Sequence, residues 1–242
     1  MRPATHCLLA CAATACSSAA AAGDPQFSLS AEASLVSDYR YRGASLTGNG
    51  PAVQGGVTVE HESGLYAGVW ASSLAGSDED VPAEVDLIGG YAADLAGGFS
   101  IDANVTWYRY PGARELDYAE GGATLSRPVR GVTPQIGISY VPAQSATRDA
   151  SGRDQDNFYV FAGLDVPVPG SSVTLHGQAG HEAGAFDLNE QGGKWDWQLG
   201  ARLELERLSF DLSYVDSNRR SPLRGTKPVA GPALVAQIKV SL

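Results

Sequence analysis

Charged and amide side chains recur along this sequence at alternate positions of runs whose other residues are apolar. They are Asp38, Arg40, Arg42, Gln54, Glu60, Glu84, Asp86, Asp102, Glu120, Asp196, Arg202, Glu204, Asp211 and Lys239. Carboxylates and bases that face each other across an enclosed space set a transverse field and select ions by sign. Acids outnumber bases in this set, which predicts a weak preference for cations. Paired with one another, the same charges would instead fill a narrow interior, as side chains fill small barrels. Tyr66, Trp70, Tyr159 and Phe161 share that face and would occupy further room. The sequence leaves open lumen and plug both standing.

Catalysis would need another constellation, a base beside a nucleophile and a third polar group to orient it. Beyond residue 22, His61 and His181 fall on the apolar face beside a turn and a loop. His176 shares the polar face with Ser172 and Thr174, but no acid can be set beside it from sequence alone. The chain has no GxSxG or HExxH motif and no metal-ligand spacing, so a lipid-modifying enzyme is the weaker alternative and no cofactor is implied. A third class is a structural or adhesive barrel acting through its loops. Asp78-Glu79-Asp80 and the basic stretch from Arg219 to Lys227 would serve it, although charge runs in loops are usually just solvated.

The elements that carry these residues read as strands, because a period of two sends successive side chains to opposite faces. Phe27, Leu29, Ala31, Ala33 and Leu35 alternate with Ser28, Ser30, Glu32 and Ser34. The pattern continues with Tyr39 and Tyr41 on the apolar side and Asp38, Arg40 and Arg42 on the polar side, up to Gly43. It resumes from Val53 to Glu60 and recurs to the last residue, in about twelve strands. This predicts an all-β fold, a closed antiparallel transmembrane β-barrel with short periplasmic turns and longer extracellular loops. Closure follows because hydrocarbon cannot hydrogen-bond an open sheet edge. Tyr39, Tyr41, Trp107, Tyr140, Phe158, Trp195, Trp197 and Tyr214 would form an aromatic girdle at the loop end, with Phe27, Phe99 and Leu208 at the other. A soluble β-sandwich also alternates, but would not hold one polar face and one loop asymmetry through twelve strands.

Met1 to Ala22 has one basic residue, an apolar middle and a small-residue end, the pattern of a cleaved secretory signal. A lipoprotein signal ending at Cys11 or Cys16 is the alternative. Residues 23–242 then form one barrel domain. All three cysteines lie in the part removed, which leaves no thiol chemistry. The net charge is -10 and becomes one unit more negative without Arg2, which argues against a nucleic-acid partner. The expected partners are outer-membrane lipid and small solutes or ions, with a homo-oligomer as a further option.

The stretch Ser37-Asp38-Tyr39-Arg40-Tyr41-Arg42-Gly43, with Ser45 and Pro51 to Gly56, resembles the TorF-type porins of Gram-negative bacteria. The resemblance continues through Gly64 to Ser72, at Glu84, Asp86, Gly90 and Tyr91, and at Tyr108, Tyr110, Pro111 and Gly112. It covers the first half of the chain beyond the signal and the rest only in strand pattern. The resemblance implies an outer-membrane barrel acting as a pore for passive diffusion. It supports location and fold more than transport. Many outer-membrane proteins end in Phe, whereas Leu242 ends this one and keeps an apolar terminal side chain.

Overall fold

Alternation of apolar and polar residues produces strands because only an extended chain sorts them onto two faces. The computed structural model describes residues 26–74, 81–149, 151–187, 192–219 and 229–242. The expected signal segment and the acidic run 78–80 lie outside these residues, as does the basic stretch after Arg219 up to Lys227. Among the described residues fourteen strands occur in chain order: β1 (Phe27–Val36), β2 (Arg40–Tyr41), β3 (Ala44–Ser45), β4 (Ala52–His61), β5 (Leu65–Ser73), β6 (Ala83–Leu95), β7 (Phe99–Arg109), β8 (Tyr118–Ser126), β9 (Thr133–Val141), β10 (Asn157–Pro167), β11 (Val173–Gly184), β12 (Lys194–Leu205), β13 (Leu208–Ser217) and β14 (Ala233–Ser241).

Twelve of them close into a barrel, in which every strand pairs antiparallel with its neighbours. The seam lies at β1, which pairs along its length with β4 and over Glu32 to Val36 with β14. The remaining pair, β2 and β3, is a separate two-stranded ribbon. Connections alternate as the sequence predicts. Short turns join the strands at one end, for example 62–64 and 206–207, and longer segments such as 37–51 and 142–156 join them at the other.

The outer surface is apolar. Val53, Leu199 and Leu234 are 65%, 67% and 71% exposed, and aliphatic side chains of nearly every barrel strand share that face. Such a band is unstable in water and is the surface that a bilayer covers. At the loop end Trp107, Tyr140, Phe158, Trp195, Trp197 and Tyr214 point outward, and Phe27 does so at the turn end. Two members expected in this girdle do not. Tyr39 and Tyr41 turn inward, Tyr39 being almost fully buried.

The cause is that β1 stops at Val36, so Asp38, Arg40 and Arg42 do not extend the first strand. The polar residues that β1 sets across from Gln54, Thr58 and Glu60 are instead Ser34, Ser30 and Ser28. After Val36 the chain leaves the wall and folds into the lumen as the β2–β3 hairpin.

Candidate functional site

The hairpin turns at Arg42 and Gly43, both with positive φ (48° and 82°). Glycine is required at 43 for two reasons. A side chain there would be strained, and its Cβ would lie 3.0 Å from the Cβ atoms of Asp196 on β12 and Ser217 on β13. The hairpin's base is held by its own polar residues. Ser45 donates to Asp38 Oδ1 (2.6 Å), and Arg40 pairs with Asp38 Oδ2 (2.5 Å) and donates to Asn49 Oδ1 (2.7 Å) and the Gly231 carbonyl (2.6 Å). Asp38 and Arg40 are thus largely committed to shaping the hairpin.

At its tip Arg42 reaches across the barrel. Its guanidinium donates to Glu120 Oε2 on β8 (2.7 Å) and Glu182 Oε1 on β11 (2.8 Å). The ring of Tyr41 lies 4.5 Å from the guanidinium carbon and that of Tyr159 4.2 Å, so the cation sits between two aromatic faces and two carboxylates. Lys194 on β12 holds the second oxygen of Glu182 (2.5 Å). Tyr159 donates to Asp196 Oδ1 (3.0 Å). This cross-tie narrows the loop end. Below it a cavity of about 290 Å³ continues toward the turn end, bordered by Glu32, Gln54, Asp86, Gln178, Arg202 and Gln237 among others.

The other residues singled out in the sequence occupy distinct levels of the barrel. Glu84, Asp86, Asp102 and Glu120 are buried on the inner face of β6, β7 and β8. Tyr39 and Tyr110 donate to the two oxygens of Glu84 (2.6 and 2.8 Å), and Tyr66 and Asn104 donate to Asp102 Oδ1 (both 3.0 Å). Gln54 spans Ser34 and Ser72, and Lys239 pairs with Glu32 (3.2 Å). Asp211 takes His176 Nε2 (2.8 Å), Ser213 Oγ (2.5 Å) and the more distant Arg202 Nε (3.5 Å). Glu60 and Glu204 are exposed near the turn-end rim, away from the constriction.

The pairing of His176 with Asp211 was not visible in the sequence, because Gly200 of β12 stands between their strands. A Cβ at Gly200 would fall 2.5 Å from His176 Nε2, so glycine leaves the path by which the ring crosses to β13. The carboxylate accepts from both the ring and Ser213. An activated serine would instead bond the imidazole, with the acid on the ring's far side. Glu182 and Lys194 also belong to the site, although the sequence analysis does not single them out. Their signal was continuation of the period-two pattern, from Gln178 through Gly180 to Glu182 and back from Asp196 to Lys194.

A closed twelve-stranded antiparallel barrel with an apolar outer band and a charged lumen defines the architecture of outer-membrane porins. The chain belongs to the family described as "Bacterial protein of unknown function (Gcw_chp)", which it matches over residues 19–241. Among solved structures it is similar to the NanC porin, with TM-score 0.60 at 12% identity over 88% of this chain and 98% of that one. It is also similar to the KdgM porin (TM-score 0.55, 8% identity, 88% and 97% covered). A third is an outer membrane channel from Pseudomonas putida F1 (TM-score 0.53, 9% identity, 91% and 97% covered). At these identities the likeness is one of fold. No curated protein matches the chain.

Proposed function

We propose that the protein is a channel of the bacterial outer membrane through which small polar or ionic solutes diffuse passively, with a weak preference for cations. The observation that carries this reading is the cavity beneath the Arg42 cross-tie, bordered by charged and amide side chains inside a wall whose outer face is apolar. The sign preference rests on charge. Arg42 and Lys194 at the constriction meet Glu120, Glu182 and Asp196, and Glu84 and Asp86 add further acid on the same level. Asp38, Arg40, Arg42, Gln54, Glu60, Glu84, Asp86, Asp102, Glu120, Asp196, Arg202, Glu204, Asp211 and Lys239 act as pore-lining residues, those at the hairpin by shaping the narrow point. The barrel occupies residues 23–242 after removal of residues 1–22, and the TorF-type resemblance accords with this role.

Planar-bilayer recording of the purified barrel tests it. Conductance steps should appear, and under a salt gradient the reversal potential should shift modestly toward the cation equilibrium potential. No steps in any salt would refute the channel, and an anion-directed shift would refute the sign. A second reading, a filled structural barrel, is favoured by one feature: the buried side chain of Arg42, tied to both walls. It predicts a silent bilayer with the barrel intact. The His176 cluster supports no catalytic reading, since Asp211 engages both partners a hydrolase would separate.

A further inference from the structure

Glu84, Asp102 and Glu120 each accept hydrogen bonds from tyrosine, asparagine or arginine donors, Asp102 through Oδ1 while its Oδ2 has no partner; Asp86 Oδ1 is likewise buried with no hydrogen-bond partner. The residue is 4% exposed and borders the cavity. A buried carboxylate oxygen without a donor is costly and calls for one. Diagonal to it on the inner face, across from Ile88, Thr106 is 2% exposed, also borders the cavity, and has an Oγ1 with no partner.

The surroundings of Asp86 are aromatic. Its direct cross-strand neighbours are Trp70 on β5 and Tyr108 on β7, and both border the cavity. The hairpin adds two more rings. Tyr39 stands edge-on to Trp70 with centroids 5.6 Å apart, and Tyr41 edge-on to Tyr108 at 6.2 Å. An acid enclosed by aromatic side chains favours a cation that brings both charge and apolar surface. The same lumen already contains such a match: Arg42, between the rings of Tyr41 and Tyr159 and bonded to two carboxylates.

We propose that Asp86, Thr106, Trp70 and Tyr108, roofed by Tyr39 and Tyr41, form a binding site for a primary alkylammonium group. The carboxylate and the Thr106 hydroxyl accept N–H bonds, and the rings take the carbon chain. Hydrogen-bond acceptors with no donor select an ammonium that has N–H groups to offer. The proposal deepens the channel reading by naming a solute class, and equilibrium binding separates the two, because binding does not require passage.

Saturation-transfer NMR on the detergent-solubilised barrel, titrated with n-butylammonium and with n-butanol as the neutral control, is the test. The wild type should bind the ammonium at least about tenfold tighter than the alcohol, as a charge-assisted bond to a buried acid implies. Asp86→Asn should lose about tenfold of that affinity, and Trp70→Leu about fivefold from the lost ring face. Should Asp86→Asn fail to fold, Trp70→Leu and Thr106→Val carry the comparison. No transfer to n-butylammonium in the wild type, equal affinity for the alcohol, or unchanged affinity in the folded variants would overturn the site. A barrel that conducts without binding removes only this site, and one that binds without conducting removes only the channel.

Discussion

Arg42 offers a rigid planar fork of donors, and the structure uses it to bridge β8 and β11. Replacing it with alanine leaves Glu120, its side chain 9% exposed, without a cation, while Glu182 keeps Lys194. An uncompensated buried charge of this kind costs about 3–5 kcal/mol in a dry core. In a lumen that water can enter, the hairpin swings away before the wall unfolds. Arg42→Ala is therefore expected to raise single-channel conductance and add open-state noise, and Arg42→Lys to fall between, since a single ammonium cannot reproduce the fork. Conductance equal to wild type in Arg42→Ala would show that the hairpin is not the constriction. At this scale the sequence conveyed which face Glu84, Asp86, Asp102 and Glu120 occupy, because alternation alone decides it. It did not convey their partners. Tyr39 meets Glu84, and Arg42 meets Glu182, across separations of 45 and 140 residues that only barrel closure shortens.

Among the elements, β1 and its following loop teach most. The residues from Asp38 to Arg42 keep a period of two, and so they read as more strand. A hairpin folded into a polar lumen alternates too, with tyrosine packed on one side and charge paired on the other. Period cannot tell lipid from lumen. The distinguishing signal was Gly43 followed by a run of Ser, Thr, Gly and Asn, which marks a tight turn well before Pro51. The loop between β9 and β10 shows the same local chemistry at the surface. There Asp149 accepts from the Ser151 hydroxyl (2.6 Å) and from the backbone N–H groups of Ser151 and Arg153 (2.8 and 3.0 Å). Chiefly through the Ser151 bond, its carboxyl is held below the usual carboxylate range. A depressed native value means stabilisation that is full above the ordinary aspartate pKa and is lost only as pH falls through the lowered one. The loop should hold its form throughout the mildly acidic range. Asp149→Asn is expected to speed tryptic cleavage at Arg148 and Arg153 severalfold at neutral pH, measured by gel densitometry. An equal cleavage rate would count against the turn.

For the whole molecule, the apolar band is the decisive feature, and it was legible almost strand by strand. Val57, Val69, Leu87, Val105, Ile138 and Leu199 face out as their positions predict, because lipid imposes the same demand on every strand. A charge placed on that band should weaken the barrel in proportion to its depth. Leu199 lies near the middle of β12 and is 67% exposed, so Leu199→Arg is expected to cost about 2–4 kcal/mol in lipid vesicles. Denaturant titration followed by tryptophan fluorescence measures this. Gln198, one residue away on the cavity side, should accept arginine with much less loss. Equal losses at the two positions would contradict the assignment of faces.

The cross-tie also has a bearing on assembly. Arg42 follows directly on the first strand, but the side chains that anchor it come with β8 and β11, far later in the chain. Until those strands are in place the guanidinium lacks both of its carboxylate partners. The narrow point is thus complete only after β11, most of the way along the chain.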